Sequence, residues 1–180
     1  MRDLNGSNFG IAIAYLIPGF IMLWGIAQLN PSVADWVQQA SKGDLTIGGF
    51  LYATLASLTL GLIASTIRWA VIDTLHHRTG ITRPNLTFAN LHDRTQAFAR
   101  IVEDRYHFYQ FYSNTAVSVP IAELCWLISG ASWQTIIPAA AIESILLAGS
   151  RDTLIHYYGE LSQILGTSRS RTRRVKSAKK

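Results

Sequence analysis

A chain of 180 residues has room for one domain. Hydrophobic residues make up 49% and charged residues 15%, against ~25% charged in ordinary soluble domains, which disfavours a water-exposed enzyme domain. The formal charge of +5 is gathered in two places, and the lone cysteine, Cys125, excludes a disulfide within the chain.

The apolar residues predict four membrane spans, at about 9–29, 47–70, 108–129 and 132–150. Each block approaches the ~20 residues that cross a bilayer. The first follows Met1-Arg2-Asp3, is too long for a signal-peptide core and lacks a small-x-small cleavage site, so it predicts a retained span. Pro18-Gly19 predicts a kink in it, or alternatively a hinge or cavity wall. The connection 30–46 sets only Lys42 against Asp35 and Asp44. The second block carries Gly48, Gly49, Ala53, Ala56, Ser57, Gly61, Ala64 and Ser65, small side chains that let helices approach closely. That face predicts a contact between copies in a homo-oligomer. The third block contains Glu123; the fourth contains Glu143 and the run Ala139 to Ala141. The turn Ser129-Gly130-Ala131-Ser132 predicts an antiparallel helical hairpin. Helix is the expected form throughout, because lipid cannot satisfy open backbone groups and no barrel-type alternation is present. The fold class is therefore all-α, with an apolar soluble helical domain as the competing reading.

Positive charge orients the spans. Arg78, Arg83, Arg94, Arg100 and Arg105 lie between the second and third blocks. Arg169, Arg171, Arg173, Arg174, Lys176, Lys179 and Lys180 lie in the tail. Four spans with both termini cytoplasmic put every basic segment on the inner side of a bacterial plasma membrane. Trp69, Tyr109, Tyr112, Tyr157 and Tyr158 then fall at the inner boundary, and Trp126 and Trp133 at the outer one.

Two segments predict a cytoplasmic helical extension. In 85–107, Phe88, Leu91, Phe98, Ile101 and Val102 recur at helical spacing after the start signal Pro84-Asn85. In 151–166, Leu154, Tyr157, Tyr158, Leu161, Ile164 and Leu165 repeat the pattern up to Gly166. The two stripes are expected to pack together; the alternative is a helix lying flat on the lipid. Residues 1–166 thus form a four-helix membrane domain, and 167–180 a disordered basic tail without an apolar face. The tail can enforce orientation, bind anionic lipid or touch nucleic acid. It lacks the aromatic residues that would stack on bases.

Ionisable groups inside a bilayer are costly and mark function. Glu123 and Glu143 are the pore- or cavity-lining candidates; the alternative is a protonated carboxyl in helix packing. Counted from the turn, their depths differ by about 9 Å at ~1.5 Å per residue, too far for direct contact within one hairpin. A second set of polar residues, His76, His77, Arg100, Arg105, His107, Arg151, Asp152 and His156, gathers at the inner boundary. Reflecting the hairpin about its turn sets Arg105 opposite His156 and His107 opposite Leu154. His76 and His77 are adjacent and diverge on a helix, so no zinc pattern and no metal or cofactor is expected.

Within that set, Arg151-Asp152-Thr153-Leu154-Ile155-His156 resembles the Arg-[Asn/Asp/His]-x-x-x-His motif of HEPN ribonucleases, and Arg100 to His107 is a looser version. In that family the Arg and His of two facing copies attack RNA. Here the motif directly follows a predicted span, whereas a HEPN domain is a soluble bundle. The chain is similar in kind to small multi-pass accessory proteins of type VI CRISPR systems, which carry an Arg-x4-6-His motif. That resemblance implies an antiviral membrane effector that forms an oligomeric pore, with RNA or a protein as its trigger. Arg151 and His156 lie five apart, about 140° around an α-helix, so they predict a structural role rather than a joint catalytic one. Three readings result: an oligomeric pore or leak, which is favoured; a membrane-bound ribonuclease; and a non-catalytic subunit or scaffold.

Overall fold

The computed structural model describes residues 6–42, 47–86 and 94–165. The tail cations Arg169, Arg171, Arg173, Arg174, Lys176, Lys179 and Lys180, and the stripe positions Phe88 and Leu91, lie outside the described residues. The architecture is all-helical. Helix α1 (Gly6–Ala27) is followed by α2 (Pro31–Lys42). Helix α3 (Ile47–Arg68) runs through a π-helical turn (Trp69–Asp73) into α4 (Thr74–Arg78), forming one rod. Helix α5 (Thr95–Ile101) runs through a second π-helical turn (Val102–Tyr106) into α6 (His107–Ile128). A short 3-10 turn (Trp133–Thr135) then leads into α7 (Ile136–Leu165), whose 30 residues make about 45 Å of helix at ~1.5 Å per residue.

Local chemistry accounts for the ends. Asn30 accepts a hydrogen bond from the Ser32 amide (3.0 Å) and Pro31 opens α2, a start that the sequence reading did not pick out. Trp36 of α2 stacks on Tyr52 of α3, centroids 6.2 Å apart. Gly80 (φ +99°) closes α4 as Ile81 N bonds His76 O, and Gly130 (φ +100°) closes α6 as Ala131 N bonds Trp126 O. Only a residue without Cβ enters that left-handed region cheaply. Residues 81–85 are non-helical and the described helix starts at Thr95; a helix start after Pro84-Asn85 lies outside the described residues.

Helix α1 lies between α3 and α6. A Cβ on Gly19 would sit 1.7 Å from the Ser57 carbonyl oxygen, one on Gly61 2.0 Å from the Tyr15 carbonyl oxygen, and one on Gly25 2.5 Å from Ala122 Cα. The small residues therefore bring backbones of this same chain together. This corrects the expectation that the Gly61 face joins copies: Ala53, Ser57, Gly61 and Ala64 are buried within the chain. The α1–α6 contact also has a polar seam, with Gln110 Nε2 donating to Tyr15 Oη (2.8 Å) and Asn114 Nδ2 to Ala14 O (2.8 Å). Helix α7 packs beside α6, where Gly149 admits the Tyr112 ring.

By length and hydropathy, one helix among the described residues, Ile47–Arg78, can cross a membrane; Ala12–Ala27 is a shorter apolar helix. The polar run Gln110, Ser113, Asn114, Thr115 and Ser118 keeps α6 below that mark although all five side chains are buried.

Candidate functional site

The first π-helical turn builds a polar, aromatic junction with α6. A π turn closes i to i+5 and so carries residues five apart onto one face. Arg68 and Asp73 stand at such positions, Nη1 to Oδ1 3.3 Å, with side chains only 7% and 16% exposed. Tyr109 of α6 completes the pair: its hydroxyl donates to Asp73 Oδ1, and its ring centroid lies 5.3 Å from the Arg68 guanidinium carbon. The buried cation thus has a carboxylate on one side and an aromatic face on the other, which offsets its loss of water.

The next turn ties α4 to α7. His76, 3% exposed, meets the fully buried Ser150 with Nε2 to Oγ 2.7 Å. Arg151 Nη1 donates to Thr79 Oγ1 (2.6 Å) and Nη2 to Thr79 O (3.1 Å). His77 Nε2 accepts from Arg83 Nε (3.1 Å), which leaves Nδ1–H to donate to the Asp73 carbonyl. Tyr106, Tyr157 and Tyr158 form a ring layer beneath, with centroids 5.2 Å apart for Tyr106–Tyr157 and 5.7 Å for Tyr157–Tyr158. Burial pushes the Tyr157 phenol up to about 12 and raises Tyr158 as well, so both are neutral donors at physiological pH.

The predicted set of eight does not assemble as one group. Arg105 Nε donates to Glu160 Oε1 (3.0 Å), not to the His156 region. His156 turns outward with Asp152, Nδ1 2.9 Å from its carbonyl oxygen and 3.4 Å from Oδ1. His107 faces α1 at Gly10. Arg100 is exposed on α5. The simple reflection fails because α6 ends at Ile128 while α7 starts only at Ile136, so the true midpoint lies later than the Gly130-Ala131 bond. Arg151 reaches Thr79 of the α4 end, a partner that sequence spacing did not suggest. Arg68, Asp73 and Ser150 were also missed, and Tyr109 was read only as a boundary aromatic: charges five apart signal no contact in a regular α-helix, and a serine in an apolar run looks like packing.

Glu123 and Glu143 line one groove of about 360 Å3 between α6 and α7, walled otherwise by residues such as Val119, Leu127 and Ile136. Glu123 also accepts a hydrogen bond from Thr135 Oγ1. Glu143 Oε2 is buried without a partner among the described residues. Near this end of α6 Trp24 meets Trp126 edge-on, centroids 5.4 Å apart. Among the described residues no three His, Cys, Asp or Glu side chains converge as a metal site requires. No protein-family model, no curated protein and no solved structure matches the chain.

Proposed function

We propose that this chain is a four-span protein of the bacterial inner membrane, both termini cytoplasmic, that assembles as a homo-oligomer and opens a pore or leak. The observation that carries the reading is the groove shared by Glu123 and Glu143 on the hairpin of α6 and α7. Two carboxyl groups beside an otherwise apolar groove are costly against lipid and far less so against water or a second copy. The membrane itself is supported by α3. Only 22% of its most apolar 18-residue stretch is buried, and Phe50, Leu51, Leu55 and Leu62 are each more than half exposed. A soluble bundle would bury such a face.

The α3 small-residue face is already occupied by α1, so the contact between copies in this reading falls on the hairpin. Leu124 of α6 and Ile136 of α7, 58% and 45% exposed, line the acid-bearing groove and leave it open to a copy. A chain of four spans has too few walls to enclose a path alone, so conduction requires several copies. The resemblance to type VI accessory proteins extends the reading to an antiviral effector. The ribonuclease alternative gains nothing from the geometry, because Arg151 is bound to Thr79 while His156 faces away with Asp152.

Reconstituted liposomes test the proposal. Wild type at several copies per vesicle is expected to release a trapped small anion or cation. Glu143→Leu and Glu123→Leu are expected to cut release at least tenfold while the helical signal persists. A wild-type chain that is monomeric in mild detergent and in crosslinked membranes, and releases nothing, would favour the scaffold reading and end this one.

A further inference from the structure

Beside the junction lies an open groove of about 630 Å3. Its floor and walls come from Trp69, Asp73, Thr74, His77, Arg78 and Arg83. The groove is two-sided. On one rim, Trp69 is 64% exposed. On the other rim are Arg78 and Arg83, both exposed. Asp73 is the one acid in the lining, and its carboxylate is engaged by Arg68 and by the Tyr109 hydroxyl, which screens it from an incoming anion. Arg83 is held in place through its Nε, which donates to His77 (3.1 Å), so the guanidinium is positioned rather than free to wander.

An apolar tryptophan rim next to two guanidinium groups and a threonine hydroxyl matches a molecule that is greasy at one end and anionic at the other. Guanidinium groups favour phosphate by paired, charge-assisted hydrogen bonds, and tryptophan settles at the headgroup level of a bilayer. The groove lies along the last turns of Ile47–Arg78, the one helix among the described residues long and apolar enough to cross a membrane, where the inner leaflet would begin. We propose that this groove binds the phosphate of an anionic phospholipid in the cytoplasmic leaflet, with Arg78 and Arg83 on the phosphate and Trp69 beside the glycerol and upper acyl chain. The proposal rests on the membrane reading above, though not on the pore, and it is separate from any diffuse attraction of the tail.

The test is native mass spectrometry of the full chain in mild detergent, titrated with phosphatidylglycerol or phosphatidylcholine. Wild type is expected to bind phosphatidylglycerol about tenfold more tightly. The double variant Arg78→Gln, Arg83→Gln is expected to lose that preference, and Arg83→Lys to retain part of it. If the double variant does not fold, Arg78→Gln alone, at the exposed lip, is expected to lower the preference severalfold. Neutralising Arg173, Arg174 and Lys176 is expected to leave the preference in place. Equal binding of the two lipids by wild type overturns the proposal. So does a preference that survives the groove variants and disappears with the tail variant. Saturable binding of glycerol 3-phosphate at the same concentrations overturns the lipid assignment in favour of a soluble phosphate. A chain that remains in solution without detergent or lipid would overturn the membrane reading itself, an outcome seen before any titration.

Discussion

Arg68 and Asp73 meet across a π-helical turn, Nη1 to Oδ1 3.3 Å, although five residues separate them. The same separation parts Arg151 from His156 in the regular helix α7, where one side chain binds Thr79 and the other is turned outward. One inserted residue in the helical ladder decides between the two outcomes. The π turn brings i and i+5 together, whereas an α-helix rotates them about 140° apart at ~100° per residue. The junction at the end of α3 therefore depends on backbone geometry as much as on side-chain identity.

The Arg68–Asp73 pair is expected to show strong coupling. Asp73→Asn leaves a buried guanidinium without its counter-charge and should cost about 3–5 kcal/mol. Replacing both partners, Arg68→Met with Asp73→Leu, should cost less than either single change. Chemical unfolding in detergent across the four-member cycle measures this. Additive single effects would show that the pair is not a coupled unit.

Gly61→Leu is expected to disrupt the fold of the single chain, because even a Cβ there would lie 2.0 Å from the Tyr15 carbonyl oxygen. Overpacking of about 1–3 kcal/mol or more is the ordinary scale for such a change. Gly48→Ala, where a Cβ meets nothing within 4 Å, is the control and should be near neutral. Thermal unfolding of detergent-solubilised protein separates the two. A Gly61→Leu chain with wild-type stability and altered subunit number would restore the face to an interface between copies.

Arg151→Ala should destabilise the chain by about 1.5–3 kcal/mol, the range for hydrogen bonds made by a charged group. His156→Ala, at an exposed pair with Asp152, should change stability by less than about 0.5 kcal/mol. Neither protein, nor wild type, is expected to cleave RNA. Cleavage by purified wild type that disappears in His156→Ala would establish the enzymatic alternative.

Topology is open to a direct reading. Reporter fusions after residues 40, 80, 131 and 180 are expected to report outside, inside, outside and inside, as the positive charges demand. An external residue 80 would invert the placement of the junction and of the phosphate groove with it.

Much of the architecture could be read from the residues alone. Long apolar blocks and helical spacing specify an all-helical chain, because period and length are local properties that each segment carries with it. Glu123 and Glu143 stood out for the same reason, as isolated charges in apolar surroundings. What each helix touches was settled elsewhere. Gly61 looks the same in sequence whether it receives a helix of its own chain or of a copy, and only the position of α1 assigns it to Tyr15. Arg105 meets Glu160 because the reversal after α6 includes a 3-10 turn, whose extra residues shift the hairpin register. Arg68 joins Asp73 and Tyr109 through a π turn that propensity does not foretell. Periodicity is written into neighbouring residues, whereas register and partnership depend on how distant segments divide one shared space.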